Sequence, residues 1–342
     1  MPRKTNTTGA RKPMSAEAKQ RIADAVRASA ARKRLELGIV SHTDIPVRTR
    51  PLELVRMKDQ QFDPILFQPM KTGKAVDKLF TEDGGFPRAT NYMIVGDPGV
   101  GKSTVTLDML SDLAKEGNKV LFISAEMTRI DLFGYVQRYP KFGNVDILFL
   151  GEYLDDNPKT VIEEALQFGY DVVLIDSFAE VQEAIKETNR MTTSGSEKFL
   201  IDMMIGHNLA NNESKTHTAF LVIQQVTKGG VFVGSNKLKH NTTGMLEIRF
   251  DDNGQAAYLM FTKNRRGSVN RKMYFSLKET GDVQYDDRRF NIDEGARDIF
   301  EQERAQIESD DDSFNKMFGI GNPVPEEDLD NKGLPGPIHL EE

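Results

Sequence analysis

The chain has 342 residues, 38% hydrophobic and 28% charged, and its 45 Lys or Arg against 52 Asp or Glu leave a formal net charge of −7. It contains no cysteine, which excludes disulfides and thiolate metal sites; no apolar stretch approaches the roughly 20 residues that cross a bilayer, and the charged N-terminus lacks the apolar core of a secretory signal, so the expected location is the cytoplasm, with no membrane partner. The length fits one large domain of roughly 200 to 250 residues plus tails, or two small ones, and the acidic total alone argues against a nucleic-acid partner, but that total hides an uneven distribution.

Residues 1 to 34 carry ten Lys or Arg against Glu17 and Asp24. From Ser15 to Leu37 this arm lacks Pro and Gly and spaces Ile22, Val26 and Ala30 as a helix would. It reads either as a nucleic-acid or partner-binding arm or as a solvated leader. Pro46, Pro51 and Pro64 punctuate the stretch that follows, a connector suited to packing along the core edge of a neighbouring subunit. The expected organisation is therefore a basic, partly helical arm (1–40), a linker or subunit-packing segment (41–75), a globular core (76–290) and an acidic, largely disordered tail (291–342).

The core opens on an apolar strand, 91–95, followed at once by Gly96-Asp97-Pro98-Gly99-Val100-Gly101-Lys102-Ser103-Thr104. This is a complete phosphate-binding loop. Its small residues let successive backbone N–H groups turn towards phosphates, the following helix (102–116) adds partial positive charge, Lys102 reaches the β and γ phosphates, and the Ser103 hydroxyl is offered to Mg²⁺. The substrate class is a nucleoside triphosphate. A second strand, 119–124, ends at Ser124-Ala125-Glu126-Met127 before a helix over 130–139. Glu126 is placed either to polarise an attacking water or to face the dipole of that helix. Strand 146–150 and helix 157–168 precede Asp171-Val172-Val173-Leu174-Ile175-Asp176-Ser177, a buried strand ending in a carboxylate. Asp176 there serves as the magnesium-holding acid or as a helix cap.

A polar segment from Lys186 to Lys198 leads into a helix over 194–212, and strand 218–224 closes on Gln224-Gln225-Val226-Thr227-Lys228. After a Gly- and Lys-containing stretch to His240, the pattern changes to short alternating strands, 245–250, 256–262 and 271–277, separated by turn signals. Alternation of apolar runs with helical patterns up to that point predicts an α/β fold: a mostly parallel twisted sheet with helices on both faces and an antiparallel C-terminal extension. From residue 293 onward fifteen Asp or Glu face four Lys or Arg, too polar a composition to fold alone; the segment reads as a docking tail, a competitor for a basic DNA site, or a solubility element.

Together the phosphate loop, Ser124-Ala125-Glu126-Met127 with its helix, the Val226-Thr227-Lys228 stretch and Thr262-Lys263-Asn264-Arg265-Arg266-Gly267-Ser268 resemble the RecA-fold ATPases of the RadA and DnaB group over roughly residues 75 to 285. The resemblance implies ATP and Mg²⁺ as cofactors, Glu126 as water-activating base, Asp176 as magnesium-holding acid, and Gln224, or its neighbour Gln225, as sensor of the γ-phosphate. It further implies that Lys263 and Arg265 reach across a subunit interface to the neighbouring nucleotide, which demands a homo-oligomer, a ring or filament and most simply a hexamer. The segments 186–198 and 228–240 match loops that line the DNA path in such assemblies, making Arg190, Lys228, Lys237 and Lys239 the candidate contacts to single-stranded DNA. The chain departs from the family in lacking the cysteines of a zinc element and the length for a protease-like domain or a helical N-terminal domain, and in placing Arg266 where RadA has an aromatic residue. Such a pared-down core is expected of a phage-encoded replication or recombination protein. The functional expectation is a helicase or branch-migration translocase; the alternatives are an ATP-switched strand-annealing mediator and a KaiC-like ATPase with no DNA role. Further replication or recombination proteins are expected to dock on the charged tails.

Overall fold

A computed structural model describes residues 54–153, 155–224 and 236–318, together with Gln20, Arg21, Asp24, Ala25 and Ser29. The chain divides into two units, 1–61 and 62–342. Within the first, Gln20, Arg21, Asp24, Ala25 and Ser29 are helical, and Met57–Asp59 forms a short 3₁₀ turn. The remainder of the arm, Gln225, Lys228 and the tail beyond 318 lie outside the described residues.

The second unit holds a nine-stranded sheet. Its elements run α1 (Asp77–Phe80), β1 (Asn91–Gly96), α2 (Lys102–Lys115), β2 (Val120–Ser124), α3 (Arg129–Arg138), β3 (Asp146–Phe149), α4 (Pro158–Gln167), β4 (Val172–Asp176), α5 (Phe178–Thr188), α6 (Thr193–Asn208), β5 (Ala219–Ile223), α7 (Asn236–Asn241), β6 (Gly244–Phe250), β7 (Ala257–Asn264), β8 (Met273–Leu277), β9 (Val283–Tyr285) and α8 (Asp287–Phe318). The strand order is β3-β2-β4-β5-β1-β6-β7-β8-β9, parallel from β3 through β6 and antiparallel beyond it. This is the predicted RecA-like α/β class, with its antiparallel extension.

Strands β1, β2, β4 and β5 are buried along their whole length. Strands covered on both faces need apolar side chains at every position, which is why they read as continuous hydrophobic runs. Alternate residues feed opposite layers: Tyr92, Ile94, Phe122, Leu174 and Leu221 pack with α2, whereas Met93, Val95, Ile123, Val173 and Val222 pack with α4, α5 and α6. A buried charged group fixes α2 from the side. Asp108, fully buried, pairs with Lys74 at 2.8 Å and with Lys141, and accepts from the Val283 backbone N–H at 3.1 Å. Helix α2 is thereby tied to the antiparallel extension.

Three expectations need correction. Residues 178–188, for which no element was predicted, form α5: Phe178, Val181 and Ile185 recur at helical spacing and are buried. Consequently the segment Lys186 to Lys198, expected as a mobile loop, consists of the end of α5, a turn at 189–192 and the start of α6, which Thr192 caps by accepting from the Gly195 N–H at 3.0 Å. The core also begins earlier than 76, since Met70 and Phe86 exchange backbone hydrogen bonds at 2.8 and 2.5 Å. Finally, the acidic segment from 291 is helical as far as Phe318. Its first turns are anchored by Phe290, which is buried, and by Lys78, which donates to Asp287 at 2.5 Å and to Asn291 at 3.0 Å; low apolar content here signals a solvated helix rather than absence of structure.

Candidate active site

In open parallel sheets ligands settle outside the carboxyl ends of the strands, where connections diverge to opposite faces. Here the ends of β1, β2, β4 and β5 surround a cavity of about 490 Å³ lined by the phosphate loop together with Glu126 and Asp176. The loop's geometry requires its glycines. Gly101, the residue before α2, has φ +93°, a backbone region open to glycine, and a β-carbon on Gly96 would collide with the Ile248 carbonyl oxygen of β6. Val100 is buried against the core while Pro98 and Thr104 complete the wall.

Lys102 donates to the carbonyl oxygens of Gly96 and Asp97, each at 3.0 Å, so its ammonium is curled back inside the loop. Burial lowers its pKa, opposed by the nearby carboxylates of Asp176, Asp97 and Glu126. One residue on, the Ser103 hydroxyl donates to Asp176 Oδ2 at 2.6 Å. Register explains this meeting: Asp176 ends β4 opposite Ser124 of β2 and Ile223 of β5, two strands from β1. Burial pushes the Asp176 carboxyl up to about 6, against the Ser103 hydrogen bond and with Glu126 adding repulsion. Ser103 and Asp176 present two hard oxygen donors side by side, the set that fits Mg²⁺, which takes one or two protein oxygens and fills its shell with phosphate and water. Asp176 must be ionised to bind a cation. Protons and Mg²⁺ compete for this carboxylate, so Mg²⁺ binding by the free site is expected to weaken as pH falls through about 6, slowing hydrolysis where Mg²⁺ is limiting, and Asp176→Asn is expected to be inactive. The contribution to folding has the opposite sign: a raised carboxyl pKa favours the folded state at low pH and is lost as pH rises through about 6. A rate profile at fixed Mg²⁺, set beside thermal melts over the same pH range, reads both slopes.

The remaining predicted residues fall into two groups. Glu126 faces the cavity, exposed at the tip of β2, and Gln224 is buried just beyond β5, its backbone N–H donating to the Ile94 carbonyl at 2.9 Å. Lys263 and Arg265 do not line this chain's cavity. Lys263 Nζ donates to the carbonyls of Lys239 at 2.7 Å and Thr242 at 2.6 Å, and Arg265 donates to that of His240 at 2.9 Å, so both cations sit at the C-terminal end of α7. Burial, with the Arg265 and Lys239 charges beside it, lowers the Lys263 pKa. Arg190 is exposed in the turn between α5 and α6 with φ +51°, and Lys239 is exposed on α7. Lys237 belongs to α7, but its side chain, like all of Lys228, lies outside the described residues.

Sequence reading missed three contributors. Tyr135 from α3 and Leu277 from β8 line the cavity beside the phosphate loop. Arg249 of β6 donates to Asp97 Oδ1 at 2.8 Å and to Glu247 at 3.1 Å, holding the loop from below. Removing Arg249 leaves the Asp97 carboxylate uncompensated next to incoming phosphates. Arg249→Met is therefore expected to weaken nucleotide binding about fivefold, roughly 1 kcal/mol for a partly exposed charge-assisted bond, and Asp97→Asn added to it to recover most of the loss in a fluorescent-nucleotide titration.

This arrangement is a phosphate-loop nucleotide site at the carboxyl edge of a mostly parallel α/β sheet. A family model described as "ATPase: KaiC" matches residues 70–144. Curated relatives include DNA repair protein RadA of Campylobacter jejuni, 26% identical over 198 residues that span 58% of this chain and 42% of that protein, and RadA of Halalkalibacterium halodurans, 28% identical over 206 residues, 58% and 41%. The chain thus matches about two-fifths of the length of these relatives. Among solved structures, the KaiC-like protein PH0186 of Pyrococcus horikoshii is 17% identical with a TM-score of 0.45, covering 64% of this chain and 98% of that one; flagellar accessory protein FlaH of Methanocaldococcus jannaschii is 12% identical with a TM-score of 0.42, covering 59% and 92%. Residues 70–144 are thus similar to the KaiC ATPase family, and nearly three-fifths of the chain is similar to the RadA proteins. No helix among the described residues is long and apolar enough to cross a membrane.

Proposed function

We propose that this chain is an oligomeric, DNA-coupled ATPase that moves along single-stranded DNA in replication or recombination, as a helicase or branch-migration translocase. The observation that carries the ATPase half is the Ser103–Asp176 contact of 2.6 Å in a cavity shared with Lys102 and Glu126. Lys102 binds the β and γ phosphates, Ser103 and Asp176 hold Mg²⁺, and Glu126 orients and polarises the attacking water. When bound, Mg²⁺ neutralises charge on the phosphate oxygens. Gln224, buried between the strands that carry the loop and Asp176, senses the γ-phosphate. Lys263 and Arg265 serve the nucleotide of the neighbouring subunit in a ring, most simply a hexamer, and Arg190, Lys228, Lys237 and Lys239 contact the DNA backbone.

The DNA half is supported by the RadA relatives and by the lysines around α7. ATP hydrolysis by the purified protein, with and without single-stranded DNA at two salt concentrations, tests it. Strong stimulation that salt weakens is the expected result, because phosphate contacts release counterions. A second reading, an ATPase gated by a protein partner, is favoured by the KaiC family match alone; hydrolysis indifferent to DNA would select it. An annealing mediator would instead be stimulated by DNA yet fail to displace a strand from a tailed duplex.

A further inference from the structure

Helix α8 uses one face to join the body and presents a different, apolar face to solvent. Asp287, Phe290, Asn291, Glu294 and Arg297 make most of its attachments: Lys78 bonds Asp287 and Asn291, Arg271 pairs with Glu294 at 2.5 Å and stacks over Phe290, and Arg297 donates to the Asn270 carbonyl at 2.7 Å; in the first turn Arg289 also stacks on Tyr274. Ile292, Ile299, Phe300 and Ile307 are 61%, 59%, 64% and 61% exposed. At 3.6 residues per turn these four lie within one stripe centred about 160° around the axis from the attachments, too far round for the body to cover them. The stripe runs about 22 Å from Ile292 to Ile307, and in the sequence Phe314 follows seven positions on. Glu303 and Asp310, both exposed, fall within the same stripe, also seven apart. Over 298–318 the helix carries seven Asp or Glu against Arg304 and Lys316.

We propose that this face of α8 is a docking surface for a basic amphipathic helix of a partner protein, whose apolar stripe covers Ile292, Ile299, Phe300 and Ile307 and whose lysines or arginines answer Glu303 and Asp310. Burial of four large apolar side chains supplies the attraction, and the two acids select a cationic partner. A second copy of α8 is disfavoured as the occupant, since it would set Glu303 and Asp310 against acids of its own kind.

The test uses the full chain and labelled helical peptides of about three heptads, one with leucines at i, i+3, i+4 and i+7 flanked by lysines, one with the same leucines flanked by glutamates, and one with the lysine peptide's residues scrambled. The lysine peptide alone is expected to bind in fluorescence anisotropy, more weakly at high salt. Ile299→Ser with Phe300→Ser should weaken it at least about tenfold by removing the centre of the stripe, and Glu303→Lys with Asp310→Lys should reverse the preference towards the glutamate peptide. Both pairs of changes are at exposed positions that do not line the nucleotide cavity, so ATP binding reports intact folding. Equal binding of the scrambled peptide would reduce the surface to a non-specific acidic patch and overturn the proposal. Concentration-dependent self-association in sedimentation, abolished by Ile299→Ser with Phe300→Ser, would also overturn it in favour of a second copy.

Discussion

Lys102→Ala is expected to abolish ATP hydrolysis, with a loss of at least about 10³-fold in turnover, the scale on which a preorganised charge at a developing anion acts. Among the described residues lining the cavity, Lys102 is the one cation, facing the carboxylates of Glu126 and Asp176. Without it the lining keeps two carboxylates and no cation, and repels the triphosphate it must hold. The side chain is poised rather than engaged: its two hydrogen bonds go to loop carbonyls at 3.0 Å, and exchanging these for phosphate oxygens replaces neutral acceptors by charged ones. Binding should weaken along with turnover. A ligand that binds only the folded state raises the melting temperature in proportion to the logarithm of its concentration over Kd, so the ATP-induced thermal shift of the variant should shrink towards zero while its far-UV spectrum stays unchanged. Wild-type hydrolysis in Lys102→Ala would remove the phosphate loop from the catalytic account altogether.

The parts of this site that sequence made legible share a cause. Lys102, Ser103 and Thr104 follow Gly101 in a fixed local spacing, and local spacing survives projection onto one dimension. Asp176 was legible because β4 is buried on both faces, so its apolar run stops abruptly where a carboxylate reaches the sheet edge. Arg249 was not legible. Its partner Asp97 lies 152 positions away, and Glu247 and Arg249 on β6 look like the polar half of an ordinary alternating strand. Tyr135 and Leu277 reach the cavity only because α3 and the end of β8 come over the loop. Helix α5 was hidden by the polar residues after Ile185, which drew the boundary of the expected loop too early. Helix α8 was hidden for the opposite reason. Its acidic composition suggests a chain that cannot bury itself, yet anchoring of its first three turns, from Asp287 through Phe290 to Arg297, is enough to start a helix that continues with Ile299, Phe300 and Ile307 exposed.

Arg265→Ala is expected to lower turnover by about 10³ or more while leaving nucleotide affinity nearly intact, as for an arginine supplied to a phosphoryl group from a neighbouring subunit. Among the described residues the Arg265 guanidinium donates to the His240 carbonyl, beside the two carbonyls that Lys263 holds at 2.6 and 2.7 Å, and does not line the cavity. A cation at the end of a short helix contributes about 0.3–1 kcal/mol, so a purely local role predicts a small stability change and ordinary hydrolysis. The two roles are separated by mixing. Lys102→Ala subunits retain Arg265, and Arg265→Ala subunits retain the phosphate loop; each protein alone should be inactive. In a mixed assembly, some sites join an intact loop from one subunit to an intact arginine from the next, and hydrolysis should return to a fraction that rises with the mixing ratio and then falls. Recovery requires contact between subunits at the active site, because neither chain carries both groups. Failure to recover, with subunit exchange verified independently by labelled protein, would confine Arg265 to the end of α7 and leave the transition-state charge to Lys102 and the metal.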